Sequence, residues 1–164
     1  FSGAPFVPTG DPLVDGVGPA AYALRSDHPD LTHEGEIKIL PLRKAPEFAI
    51  AEEDLDPRGF PVEAADHQVV GTLTEVWVDR SEHILRYFEV KLNSGRSVLV
   101  PANYTDIRSW TKKVVVGAIS SAQFEKVPAT KSPDQITLRE EDRIMAYYAG
   151  GKLFAFPSRA EPLL

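Results

Sequence analysis

The chain has 164 residues, 43% of them hydrophobic and 26% charged, with a formal net charge of −6 and no cysteine. That composition suits one globular domain, or one domain with a long arm. The lack of Cys excludes disulfides, thiolate zinc sites, iron–sulfur ligation and a Cys nucleophile, and the acidic balance disfavours general nucleic-acid binding, which draws on counterion release by cations.

Charge is uneven. Residues 1–66 carry 13 acids and 5 bases, whereas residues 67–164 carry 11 acids and 13 bases. Lys112-Lys113 and the Arg80/Arg86 pair are the basic candidates of the second part, and they read as solvated strand ends. The longest apolar run, Val114 to Ile119, is six residues, far short of the ~18 that suggest a membrane span. The chain opens on Phe1 rather than Met, so an upstream segment is expected.

Nine of the fourteen prolines lie in residues 1–61. Proline fixes φ and lacks an N–H, so long helices and central strands are disfavoured there. Phe1–Thr32 reads as an extended, irregular arm that needs a surface to lie on. Short strands are expected at Glu36–Leu40 and Phe48–Ile50.

The middle is β structure. From Val70 to Val78 a period of two sets Val70, Thr72, Thr74, Val76 and Val78 on one face, with Gly71, Leu73, Glu75 and Trp77 on the other. Asp79–His83 is a polar turn, Ile84–Leu92 a second alternating strand, and Asn93–Arg96 another turn. Ser97–Val100 and Val114–Val116 complete a set of short strands, which predicts a small barrel or curled antiparallel sheet. Thr137-Leu138-Arg139-Glu140 fits a capping box. It predicts a helix over about Leu138–Ala149, with Glu140, Glu141 and Asp142 favourable against the helix dipole and Gly150-Gly151 as the left-handed stop. The division expected is an arm over 1–35 and a β domain over 36–164.

Chemical motifs are few. His33 with Glu34 and Glu36 is the only local group resembling a metal site, and one imidazole with two carboxylates on a loop reads as a solvated turn. Glu52–Asp56 lacks the later ligands of a calcium loop. Asp15–Pro19 lacks the third glycine of a dinucleotide fingerprint, and no G-x-S-x-G, P-loop or HExxH occurs. No metal site and no enzyme acting alone is expected. The group left is Asp79, Glu82, His83 and Arg86, gathered by one hairpin. Neighbouring carboxylates oppose each other's ionisation while an Arg pulls the other way, so such a cluster can pass protons. From the residues alone the favoured reading is still an exposed turn decorated with charges, with the proton-passing cluster as the alternative.

Five stretches, GDPLVDGVGPAAYA (Gly10–Ala23), IKILPLR (Ile37–Arg43), DPRGFPV (Asp56–Val62), VWVDRSEHILRYFEV (Val76–Val90) and KSPDQITLREEDRIMAYYAGGKLFAFP (Lys131–Pro157), run in order along nearly the whole chain. In them the sequence resembles the H-subunit family of the purple bacterial photosynthetic reaction centre. The resemblance implies a mainly β, PRC-barrel-type antiparallel domain with an extended N-terminal arm and one C-terminal helix. It implies a subunit without pigment that caps the cytoplasmic face of the L and M subunits, shields the quinones, and assists proton transfer to the secondary quinone. Bacteriochlorophyll, bacteriopheophytin, quinones and non-haem iron are then expected in the partner subunits and none on this chain. The membrane is expected to be reached through an N-terminal helix absent from this sequence. The family's proton-path acids and arginine fall on Asp79, Glu82 and Arg86, and a family lysine on Lys38. Where relatives carry His-x-His in a proton-uptake loop, this chain has His33, Glu34, Gly35 and Glu36, so uptake there would rest on carboxylates. A free-standing PRC-barrel adaptor or scaffold is the alternative class.

Overall fold

The computed structural model of the chain describes residues 10–15 and 26–154. Seven strands form among the described residues: β1 Ile39–Pro41, β2 Pro61–Glu63, β3 Val69–Asp79, β4 Ile84–Leu92, β5 Ser97–Pro101, β6 Asp106–Arg108 and β7 Lys113–Val115. Of these, β3, β4, β5 and β7 have nearly the expected bounds, and β2 and β6 are not among the strands expected. Three helices accompany them, α1 Pro12–Asp15, α2 Ser121–Phe124 and α3 Leu138–Phe154.

The class is mainly β, as expected. The sheet runs β5-β4-β3-β2-β7-β6, with β1 also on β3. One edge of the long β3 is therefore shared: β2 takes its start (Pro61 opposite Thr72) and β1 its end (Ile39 opposite Asp79). β2 and β7 pair in parallel, Val62 opposite Val114, and every other pair is antiparallel. Among the described residues β5 and β6 are the ends of the path, so the sheet does not close into the expected barrel.

The expected alternation of β3 holds only in part. Thr72 and Thr74 face solvent, and Leu73, Glu75 and Trp77 are buried, but so are Val76, Val78 and Asp79. The β3/β4 register shifts between Leu73 and Glu75 and again between Trp77 and Val78. Such bulges twist a strand and re-aim its side chains. The strand's end is covered on both faces, Val78 lying beside Phe48 and Ile50. Buried Glu75 is met by Arg43 at 3.6 Å and Arg58 at 3.7 Å. Arg43 also reaches Glu89 (3.4 Å) and Asp134 (2.9 Å), which ties the chain after β1 to β3, β4 and the loop before α3. Gly71 permits the close approach of β4: a Cβ there would stand 2.1 Å from the Lys91 carbonyl oxygen.

Three local expectations are corrected. The strand expected at Glu36–Leu40 begins only at Ile39, with Ile37 in a single bridge to Leu31. Phe48–Ile50 is not a strand. The turn after Ala45, closed by Phe48 N–H on the Ala45 carbonyl (2.9 Å), leads it away from the sheet, and its apolar side chains cover the β3–β4 turn instead. The helix does not stop at Gly150-Gly151 but continues to Phe154. Gly151 is there for packing. A Cβ would stand 2.3 Å from Ile119 Cγ2 and 2.7 Å from the Ala118 carbonyl oxygen.

The capping box of α3 forms as predicted: Glu140 N–H donates to Thr137 Oγ1 (3.1 Å) and Thr137 N–H to Glu140 Oε1 (2.9 Å). Two further N–H groups of the first turn, those of Leu138 and Arg139, donate to the carbonyls of His28 and Ser26, both at 3.0 Å. The end of the arm thus satisfies donors that a helix start leaves orphaned. Within the arm, Leu13 of α1 is buried in the core and α1 packs on α3. The remainder of the arm, residues 1–9 and 16–25, and the tail 155–164 lie outside the described residues. The core lies between the sheet and α3, where Tyr148 donates to the Leu99 carbonyl (3.0 Å) and Tyr147 to that of Gln123 (2.8 Å).

Candidate functional site

The β3–β4 turn is built around one carboxylate. Asp79, the last residue of β3, has 0% of its surface exposed. Its Oδ1 accepts the N–H groups of Ser81 (2.9 Å) and Glu82 (3.0 Å), and its Oδ2 accepts Arg86 Nη2 at 2.6 Å. Lys38 Nζ stands 3.7 Å from the same Oδ2 and 3.6 Å from Asp30. The Asp side chain caps the turn in the way short polar side chains do, and His83 closes it in the left-handed region at φ 58° with its N–H on the Asp79 carbonyl (2.8 Å). The His83 ring meets Phe48 edge-on, centroids 5.1 Å apart.

Burial alone would push the Asp79 carboxyl up. The Arg86 guanidinium, the two backbone donors and Lys38 outweigh it and hold the group below the usual carboxylate range. Asp79 is therefore a fixed anion rather than a group balanced near neutral pH. Arg86 is raised in turn, first by its hydrogen bond to Asp79, and its Nε is buried with no partner among the described residues. Glu82 approaches Arg86 at 3.5 Å, and its side chain is 59% exposed.

The carboxyl that burial pushes up belongs to Glu141 on α3, which accepts the Tyr87 hydroxyl at 2.8 Å. The Tyr87 bond, Arg86 and Lys38 draw it back, and Asp30 adds to the rise. Tyr87 itself is raised, by burial first and by Glu141 next. Sequence reasoning assigned Glu141 to the helix dipole and missed this position. Its spacing to the acids beside it carries no signal, because the packing of α3 on β4 is what buries it.

Arg86, Tyr87 and Glu141 line a pocket of about 400 Å³ with Ile84, Leu85 and Asn103. Beyond Ile84 and Leu85, which are both exposed, a second pocket of about 360 Å³ lies among Phe48, Ile50, Leu55 and His83. The charged turn is thus flanked by one hollow of mixed lining and one mostly apolar hollow. Lys38, the family lysine beyond the expected uptake loop, joins the cluster, and the loop's own residues do not. His33 and Glu34 sit in an exposed turn, and Glu36 pairs with Arg80 at 3.3 Å. Arg80 donates from Nε to the Ile37 carbonyl (2.8 Å) and also reaches Glu47 (3.3 Å). Among the described residues no three His, Asp or Glu side chains are placed to hold a metal ion.

The fold and this turn define a class. Residues 51–123, from the loop before β2 into α2, match the PRC-barrel domain. Residues 1–44 match the photosynthetic reaction centre H-chain N-terminal region. The two matches lie in the order the arm and sheet take in the chain, and the protein belongs to the photosynthetic reaction centre H-chain family. It is a subunit of a membrane-associated photosynthetic complex. No described helix is long and apolar enough to cross a membrane.

Proposed function

We propose that this chain caps the cytoplasmic face of the L and M subunits, shields the quinone region from water, and carries protons toward the secondary quinone through the Asp79–Arg86–Glu141 cluster. The pigments, quinones and iron belong to the partner subunits, and the chain supplies no chemistry beyond moving protons. The observation that carries this reading is the arrangement around Arg86: its Nη2 lies 2.6 Å from buried Asp79, and Glu141, which accepts the Tyr87 hydroxyl at 2.8 Å, lines the same pocket as Arg86.

Full reduction of a quinone consumes protons that must cross from water through protein. Carboxyls and water within hydrogen-bond reach of one another provide such a path. Glu82, exposed at 3.5 Å from Arg86, collects protons at the surface. Asp79 anchors Arg86, whose charge biases the cluster, and Glu141 offers a site that holds a proton more readily than an ordinary carboxylate. Lys38 steadies the Asp79 end, and Glu36 with Glu34 and His33 forms the outer, solvated fringe. The exposed Ile84, Leu85 and Leu55 support a second role that coexists with the first, an apolar clamp on the membrane subunits. A free-standing adaptor leaves the match over residues 1–44 without a purpose. The test is Glu82→Gln in the assembled complex, timing proton uptake at the second reduction. The rate is expected to fall and its pH dependence to shift; an unchanged rate and profile would remove Glu82 from the path.

A further inference from the structure

The β6–β7 hairpin has no part in the proton reading, and its composition is unusual for a solvated turn. Trp110 at its tip is 97% exposed, whereas Trp77, the only other tryptophan, is 1% exposed. An indole has an apolar body and a polar N–H, and its favoured place outside a core is the boundary between a membrane and water. The tip is also cationic. Arg108, Lys112 and Lys113 fall within six residues, in the part of the chain where bases outnumber acids 13 to 11. The overall charge of −6 arises in residues 1–66, so it does not describe this end of the molecule.

Arg108 lines a pocket of about 420 Å³ with Lys152 of α3, Asn103, Tyr104 and Thr105. Asp106 is on the same wall and accepts Arg108 Nε at 3.1 Å. Lys152 Nζ lies 5.3 Å from the centre of the Tyr104 ring. Lys113 pairs with Glu63 at 3.1 Å. The pocket is thus lined by two cations, Arg108 and Lys152, and one carboxylate, Asp106, so its surplus is positive. Asn103 lines this pocket and also the one holding Arg86 and Glu141. The two hollows are neighbours, so a face turned toward membrane subunits by the Arg86 turn carries the hairpin toward the lipids around them.

We propose that the β6–β7 hairpin contacts the bilayer, with Trp110 among the headgroups and Arg108 and Lys152 holding the phosphate of an anionic phospholipid. This rests on the chain's membership of a membrane-associated complex and not on the proton path. Cations near an anionic leaflet attract it, and salt weakens the attraction. The experiment follows tryptophan fluorescence and co-sedimentation of the full 164-residue chain with vesicles of phosphatidylglycerol and phosphatidylcholine, and of phosphatidylcholine alone. Trp77 is buried, so a spectral change reports Trp110. The anionic vesicles are expected to shift emission to the blue and sediment the chain. Arg108→Gln and Lys152→Gln each weaken partition about fivefold, and Trp110→Ala abolishes the shift. Both cations are exposed, so the urea midpoints of these variants should match the parent chain. No partition, equal partition into neutral vesicles, partition untouched by the variants, or the same spectral shift with soluble glycerol phosphate would each overturn the proposal. An unaltered proton-uptake rate in the hairpin variants supports the independence of the two sites, whereas a loss of uptake together with vesicle binding would overturn it.

Discussion

Replacing Arg86 with Gln separates the charge pair at the turn from the packing around it. The guanidinium lies 2.6 Å from a carboxylate with no exposure. Removing one partner of a buried pair costs about 3–5 kcal/mol when the other is left uncompensated. Asp79 would keep Lys38 at 3.7 Å and backbone donors at 2.9 and 3.0 Å, and Arg86 is itself 35% exposed. The expected loss at pH 7 is therefore smaller, about 2–3 kcal/mol. With a urea slope of about 2 kcal/mol per molar, the unfolding midpoint falls by about 1–1.5 M. The folded Asp79 carboxyl titrates below its ordinary range. The contribution of the pair is therefore complete above the unfolded value of about 3.9, and it is lost as pH falls through the folded value. The gap between parent and variant should be constant from pH 7 to 5 and narrow below about pH 4. Urea titrations at pH 7, 5 and the lowest pH at which both chains stay folded measure it. A gap that persists undiminished in acid would show that lost packing is responsible. No gap at pH 7 would show that Asp79 is not sequestered from water.

Glu141→Gln should act in the opposite direction. A carboxyl raised by folding opposes stability increasingly from its unfolded value upward through its folded value, so the variant should gain thermal stability at pH 7 relative to pH 4. The amide can still accept the Tyr87 hydroxyl, and a gain equal at both pH values would remove ionisation as the cause. Gly151→Ala should destabilise although it lies within a helix. The propensity gain of about 1 kcal/mol is outweighed by overpacking of about 1–3 kcal/mol against Ile119 and the Ala118 carbonyl. A net loss of about 1 kcal/mol in urea unfolding is expected, and a net gain would mean that α3 can shift at no cost.

The features legible in the sequence are those set by near neighbours. Val69–Asp79 and Ile84–Leu92 carry alternation long enough to survive two register shifts, and the Thr137–Glu140 box needs only one helical turn. The three-residue strands β2 and β6 have no pattern of their own and exist because β3 and β7 pair with them. The start of α2 did carry a signal, Ser120-x-x-Gln123, whose Gln Oε1 accepts the Ser120 N–H at 2.9 Å. Gly150-Gly151 misled because a glycine required for close packing looks like one required for a turn. At the site, the hairpin gathered Asp79, Glu82 and Arg86 as their spacing implied. The distinction between the carboxyls depends on Lys38, which approaches from beyond β3, and on the contact of α3 with Tyr87.

That distinction decides what the cluster can do. Groups whose surroundings push their pKa values apart are the ones that divide proton work between them. Two carboxylates placed alike beside Arg86 would both be drawn down and stay ionised. Asp79 takes the direct contact at 2.6 Å together with two backbone donors, and it fixes the guanidinium in doing so. Glu141 has a tyrosine hydroxyl in place of a cation as its direct partner, and burial dominates its balance. In the proposed relay the proton would therefore pass by way of Glu141, with Asp79 as the electrostatic anchor. Asp79→Asn should slow proton uptake through release of Arg86, so part of that loss should return when Arg86 is also made Gln. A double variant no faster than Asp79→Asn alone would mean that Asp79 acts otherwise than by holding Arg86, as a proton carrier would.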